Sequence, residues 1–172
     1  MPDVRPLERP VASRYGILRR LGAVPWIVVL ARCLVGGVFI LSGVSKLLLA
    51  HAEVVALVQQ YQVIPRWLAP VIAAGLPWLE LGSGTALVMG FFTTPVALLI
   101  ATQLMGFSLL MLVVLFLGIP IDDCGCFGNL GLRETPLQVL IRDLLLLVLL
   151  LPVLLRQHDL WSLDAWANPL ED

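Results

Sequence analysis

The sequence predicts an all-α membrane protein built as a four-transmembrane-helix bundle. Of its 172 residues, 59% are hydrophobic and only 13% are charged, so a water-soluble domain would lack the polar residues needed to cover its surface. The chain instead contains four apolar stretches separated by short polar breaks. Each can supply the roughly 20 residues that cross about 30 Å of hydrocarbon. These stretches leave no residues for a second domain.

The first half of the chain contains two of the predicted spans. A basic N-terminal segment, residues 1–23, precedes the first span at 24–49. From Glu53 to Trp67, apolar residues recur at helical spacing with glutamines between them, which predicts a short amphipathic helix at the membrane interface. The second span covers 67–89, and its internal proline and glycines are common in membrane helices.

The second half contains the other two spans and a polar loop. The third span, 95–119, follows a tight uncharged turn, so the second and third helices are expected to form a hairpin. The loop at 121–135 then leads to the fourth span at 137–155. Thr135 can cap this helix, and Gln138 completes a capping box. The start of the fourth helix is therefore well marked.

Five arginines in the N-terminal segment set the expected orientation of the transmembrane domain, 24–156. Basic residues close to membrane spans stay on the cytoplasmic side, and an even number of crossings returns the C-terminal tail, 157–172, to the same side. We therefore expect a multi-pass protein of the bacterial cytoplasmic (inner) membrane. Both termini would be cytoplasmic, and the loop at 121–135 would face outward.

The basic segment also bears on partners and processing. It abuts the membrane and lacks interleaved aromatics, so we expect the lipid bilayer, and no nucleic acid, as its partner. A cleaved signal peptide is the competing interpretation of this region. The first apolar run is too long for a signal core and contains Arg32 and Lys46, which favours a retained helix.

Two cysteines stand out in the polar loop. Cys124 and Cys126 flank Gly125 on the side expected to face outward, which in a bacterium is oxidising. Thiols this close are expected to pair or to exchange. A Cys-x-Cys ring is smaller and more strained than a Cys-x-x-Cys ring, so its disulfide should be easily reduced. Gly125 can adopt the unusual dihedral angles that such a ring demands.

A structural disulfide and a metal site are the alternative interpretations of this loop. A bridge across one intervening residue removes little chain entropy and therefore stabilises little. Four-coordinate zinc needs more ligands than two thiols, so no metal is expected. The remaining cysteine, Cys33, is far from the loop along the first span, and we expect it to be a small buried apolar residue.

Several charged residues fall inside the predicted spans, where an unpaired charge costs at least about 2.5 kcal/mol. Counted from the cytoplasmic ends of their spans, Arg32 and Glu80 lie at similar depths, which predicts an intramembrane ion pair. Lys46, Arg142 and Asp143 are expected to meet beneath the cysteine loop. This convergence favours a polar pocket that supports thiol exchange by proton transfer or holds a quinone-like electron acceptor. The alternative is that these charges only join helices.

The pattern of residues resembles a known family. The motifs are Arg32, "FILSGVSK" from Phe39 to Lys46, "LPWLELGSG" from Leu76 to Gly84, "CGCFG" from Cys124 to Gly128, and Arg142-Asp143. Across residues 24–155 the chain resembles the MauE family of methylamine-utilisation membrane proteins and, more broadly, DoxX-like four-helix membrane proteins. Members of that family are implicated in maturing the periplasmic, disulfide-rich small subunit of methylamine dehydrogenase, alongside a thioredoxin-like partner. The resemblance implies that Cys124 and Cys126 are a redox pair.

These observations lead to three functional hypotheses. The first is a membrane accessory protein for disulfide formation or thiol electron transfer to an exported thioredoxin-like partner, which would make the chain a thiol-disulfide oxidoreductase. The second is a non-catalytic membrane chaperone or scaffold. The third is a DoxX-like subunit of a quinone-linked oxidoreductase, with a quinone near the intramembrane charges as the candidate cofactor.

Overall fold

The computed structural model describes residues 25–121, 124–125 and 134–155. These ranges contain five helices and no strand. The helices are α1 (Pro25–Leu47), α2 (His51–Gln59), α3 (Ala69–Met89), α4 (Thr93–Leu117) and α5 (Pro136–Leu154). All except α2 are long and apolar enough to cross a membrane. The predicted class, an all-α protein with four membrane spans, is confirmed.

The observed limits of the four long helices lie within two residues of the expected ones. The capping box predicted at the start of α5 is present, because the Gln138 N–H donates to Thr135 Oγ1 at 3.4 Å and the Thr135 N–H donates to Gln138 Oε1 at 2.9 Å. The basic segment 1–23, the tail 157–172 and Cys126 lie outside the described residues.

Close glycine contacts fix how α1 packs against the antiparallel α3. A Cβ added at Gly36 would lie 2.7 Å from the carbonyl oxygen of Gly84, and one added at Gly43 would lie 2.8 Å from that of Pro77. Only residues without a Cβ allow two backbones to approach so closely. These contacts fix the register between the two helices.

The short helix α2 packs against the bundle with one face. Val54 and Val58 are buried, and so is Tyr61 just after the helix. Glu53 lies on the exposed side, and its carboxylate accepts a hydrogen bond from the Ala50 N–H at 3.3 Å. The apolar face of this segment therefore packs on the bundle, which directs Tyr61 toward the interior.

The buried residues form layers along the bundle. A large apolar cluster fills one part of the interior: Val28, Ala31, Val35, Phe39, Leu87, Ala97, Ile100, Leu104, Leu146, Leu150 and Val153. A smaller apolar cluster surrounds the described part of the cysteine loop: Tyr61, Met111, Val114, Cys124 and Val139. Between the two clusters lies a polar layer, formed by Ser42, Lys46, Glu80, Arg142 and Asp143. This layer places ionisable side chains beneath the loop.

Candidate functional site

The side chain of Cys124 is enclosed in the smaller apolar cluster. It is 2% exposed, and its Sγ lies 3.5 Å from Met111 Sδ. Val139 of α5 belongs to the same cluster. A molecule outside the bundle therefore has almost no access to the Cys124 sulfur.

The backbone at Cys124 is held by two separate parts of the chain. Its N–H donates to the carbonyl oxygen of Glu134 at 3.0 Å, and its carbonyl oxygen accepts a hydrogen bond from the Tyr61 hydroxyl at 2.5 Å. Gly125 follows with φ of 63°, the left-handed region that favours glycine. A Cβ there would lie 2.8 Å from the Leu57 side chain. The start of the cysteine motif is thus fixed between α2 and the residues before α5.

Lys46 and Glu80 form a buried ion pair in the polar layer. Lys46 Nζ lies 2.7 Å from both carboxylate oxygens of Glu80, and it also donates to Ser42 Oγ at 2.8 Å. The Ser42 hydroxyl donates to Glu80 Oε2 at 3.0 Å. Helical side chains lean toward the N-terminus of their own helix, which brings the Lys46 ammonium to the level of Ser42. A charged pair with these additional hydrogen bonds is tolerated inside a membrane bundle.

Arg142 bridges two carboxylates near the start of α5. Its Nη2 lies 3.0 Å from Asp143 Oδ1, and its Nε donates to the same oxygen at 3.2 Å. Its Nη1 forms an ion pair with Glu134. Because the Glu134 backbone also accepts from the Cys124 N–H, this residue connects the cysteine loop to the polar layer.

A small cavity lies within the polar layer. It has a volume of about 20 Å³, and α1, α3, α4 and α5 all contribute to its walls: Val38, Phe39, Ser42, Lys46, Glu80, Leu104, Phe107, Arg142, Asp143 and Leu146. Phe107 precedes Met111 by one helical turn and Asp143 follows Val139 by one, so the cavity lies about 6 Å below the Cys124 cluster. The cavity accommodates about one water molecule and is too small for a quinone ring.

The structure brings together the predicted polar pocket residues Lys46, Arg142 and Asp143 around this cavity. Their role in thiol exchange stays a prediction. Sequence reasoning missed that Glu80 and Ser42 belong to the same group. The available signal was the four-residue spacing of Ser42 and Lys46, which places them on one face of α1.

The predicted ion pair between Arg32 and Glu80 is wrong. Glu80 pairs with Lys46, and the Arg32 guanidinium donates to the carbonyl oxygens of Leu87 at 3.0 Å and Val88 at 3.1 Å. The glycine contacts between α1 and α3 align Arg32 with the last turn of α3, which excludes a position beside Glu80. Arg32 therefore caps the carbonyl end of α3, where a positive charge is favourable.

The sequence predicts that Cys33 is buried, but the structure places it in an exposed position on the outer face of α1. The buried positions around it belong to Ala31, Arg32 and Val35, and the helical turn directs Cys33 away from them. Among the described residues, no group of three or more histidine, cysteine or acidic side chains is arranged to hold a metal ion.

The fold and this site define a multi-pass helical membrane protein in which a buried ionic layer underlies a cysteine loop. The sequence comparison is more specific. A family model described as "Methylamine utilisation protein MauE" matches residues 24–156, so the chain belongs to the MauE family.

Two similar proteins carry the name methylamine utilization protein MauE. The one from Methylorubrum extorquens is 32% identical over 82 residues, which are 48% of this chain and 44% of the relative. The one from Paracoccus denitrificans is 31% identical over 117 residues, 67% of this chain and 61% of the relative. Each match thus spans less than two thirds of the relative's length. No solved structure matches the chain.

Proposed function

We propose that this chain is a membrane accessory protein that forms or exchanges disulfides in an exported, thioredoxin-like partner during methylamine utilisation. Membership of the MauE family supports the metabolic assignment. The observation that carries the thiol chemistry is the position of Cys124, whose backbone is anchored on both sides by Tyr61 and Glu134. A disulfide across one residue adds little stability, so we infer that this anchoring serves exchange.

The burial of Cys124 assigns different roles to the two cysteines in this proposal. The partner's thiolate attacks the Cys126 sulfur, because the Cys124 sulfur is enclosed. The Cys124–Cys126 bond breaks, Cys124 leaves as a thiolate and takes up a proton, and a mixed disulfide joins Cys126 to the partner. A second partner thiolate then displaces Cys126. The partner loses two electrons and two protons, and Cys124 and Cys126 gain them.

Regeneration of the Cys124–Cys126 disulfide needs an acceptor of two electrons and two protons, and we propose a membrane quinone as its chemical class. The cavity beneath the loop is too small for a quinone ring, so we place the quinone at the outer surface of the bundle. A quinone that co-purifies with the protein would support this assignment and the DoxX-like oxidoreductase hypothesis. Protein that is reoxidised equally well in quinone-free membranes would contradict both.

The orientation is part of the same proposal. Five arginines precede α1, and we infer a bacterial inner-membrane protein with both termini in the cytoplasm and the loop outside. A membrane-impermeant thiol reagent, applied to spheroplasts before and after mild reduction, tests it. Labelling of Cys126 only after reduction is expected, and Cys124 should react slowly even then because its sulfur is enclosed. Labelling that requires lysis would overturn both the orientation and the thiol chemistry.

Single serine variants test the assigned roles of the cysteines. Mixed with the oxidised partner, Cys124→Ser is expected to accumulate a mixed disulfide: the Cys126 thiolate opens the partner's disulfide, the released partner thiolate takes up a proton, and no Cys124 thiol is left to displace the partner. Cys126→Ser should accumulate none, and Cys33→Ser is the matched control that should behave as the unaltered protein. Equal trapping by both loop variants would refute the assigned roles. Normal maturation of the exported partner in both variants would refute the function.

The burial of Cys124 also favours a second candidate, a scaffold whose loop only shapes a docking surface. In that case a Cys124→Ser, Cys126→Ser double variant would still bind and mature the partner. Loss of maturation with retained membrane insertion and partner binding would exclude the scaffold and support exchange.

A further inference from the structure

The cavity in the polar layer has one acceptor that the protein leaves unused. Asp143 is 1% exposed, and its Oδ1 accepts both hydrogen bonds from Arg142. Its Oδ2 is buried and has no hydrogen-bond partner among the described residues. A carboxylate oxygen removed from water is strongly disfavoured unless a donor replaces its hydration. Because Asp143 lines the cavity, that donor has room to bind there.

We propose that the cavity binds a single water molecule that donates a hydrogen bond to Asp143 Oδ2. The volume of about 20 Å³ exceeds the roughly 10 to 15 Å³ that one water molecule requires. Buried waters make about three hydrogen bonds, and Ser42, Lys46 and Glu80 supply the further polar groups along the wall.

The charges around the cavity favour water over a metal cation. Glu80 and Asp143 line it, but each carboxylate is already paired with Lys46 or Arg142, so little net negative charge remains to attract a further cation. The rest of the wall combines the Ser42 hydroxyl with apolar side chains, and the Phe107 ring lies 5.9 Å from Lys46 Nζ. A water molecule, which is a small and neutral hydrogen-bond donor, fits both the size and the charge of the cavity.

The water site lies between the two ion pairs of the polar layer. The Lys46–Glu80 pair joins α1 to α3, and the Arg142–Asp143 pair belongs to α5. A water that bonds both groups makes the polar layer a continuous network across three helices. Removal of a side chain from one ion pair should then change how much the other ion pair contributes to the stability of the bundle.

A structure of the full chain at a resolution that shows ordered water tests the site directly. One density peak within about 3.2 Å of Asp143 Oδ2 is expected. A peak that strengthens when sodium is replaced by rubidium would identify a cation and overturn the proposal, and so would the lack of any peak.

A double-mutant cycle in detergent tests the connection. Ser42→Ala and Asp143→Asn are expected to be non-additive, with a combined change in Tm that differs from the sum by on the order of 2 °C. The control cycle uses Ser45→Ala, because Ser45 is buried but donates only to the Ser42 carbonyl at 2.8 Å. That cycle should be additive. Additivity in both cycles would overturn the shared water, and the density test decides if a variant does not fold.

Discussion

The replacement of Glu80 by glutamine tests whether the Lys46–Glu80 pair is required for the bundle to fold. Glu80 is 2% exposed and Lys46 is 8% exposed, so the ammonium would remain buried without its counter-charge. The loss of one partner of a buried pair costs about 3 to 5 kcal/mol. For a chain of this size that corresponds to a Tm lower by about 6 to 20 °C. Thermal unfolding in detergent, followed by size-exclusion chromatography, measures the change.

Two further variants distinguish the loss of the Lys46–Glu80 ion pair from the general effect of a glutamine substitution. Glu53→Gln makes the same change at an exposed position on α2 and should cost less than about 1 kcal/mol. A Lys46→Met, Glu80→Gln double variant removes both charges and should be more stable than Glu80→Gln alone. If Glu80→Gln and Glu53→Gln gave the same Tm, the pair would not stabilise the fold and the reasoning would be wrong.

Three other predictions concern packing, capping and the loop. Gly36→Ala should lower the Tm because its Cβ would lie 2.7 Å from a carbonyl oxygen of α3, whereas Gly37→Ala meets nothing within 4 Å and should be neutral or stabilising. Equal Tm values would contradict the packing. Arg32→Met should cost about 2 kcal/mol in thermal unfolding, because the last turn of α3 loses a charged donor, and an unchanged Tm would exclude the cap. Tyr61→Phe should cost about 1 kcal/mol and speed the labelling of reduced Cys124. An unchanged labelling rate would show that the hydroxyl does not hold the loop.

The helices could be predicted because their signals are local. Each long helix has an apolar run of membrane-spanning length, and the start of α5 is marked by Thr135 and Gln138, which form the expected capping box. The meeting of Lys46, Arg142 and Asp143 followed from their similar distances to the ends of their spans. Depth along a helix is a quantity that sequence position supplies directly.

The partners of the charges could not be predicted in the same way. Depth counting matched Arg32 with Glu80, but the Gly36–Gly84 contact aligns Arg32 with the end of α3. Such a register depends on how closely two backbones approach, which no single helix reveals. The exposure of Cys33 has a related cause, since the face of α1 that meets its neighbours is fixed by the same packing.

The distribution of charges among the helices has a consequence for insertion into the membrane. α1 carries Arg32 and α3 carries Glu80, and each finds its partner groups on the other helix, so either helix alone would expose an unpaired charge to lipid, at about 2.5 to 3.5 kcal/mol near the helix centre. α5 carries both Arg142 and Asp143, which pair with each other. α5 can therefore leave the translocon, the channel that inserts helices into the bilayer, with its two charges already paired. α1 should instead stay at the translocon until α3 has been synthesised. Biogenesis thus favours assembly of α1 with α3 before either helix is released into the bilayer.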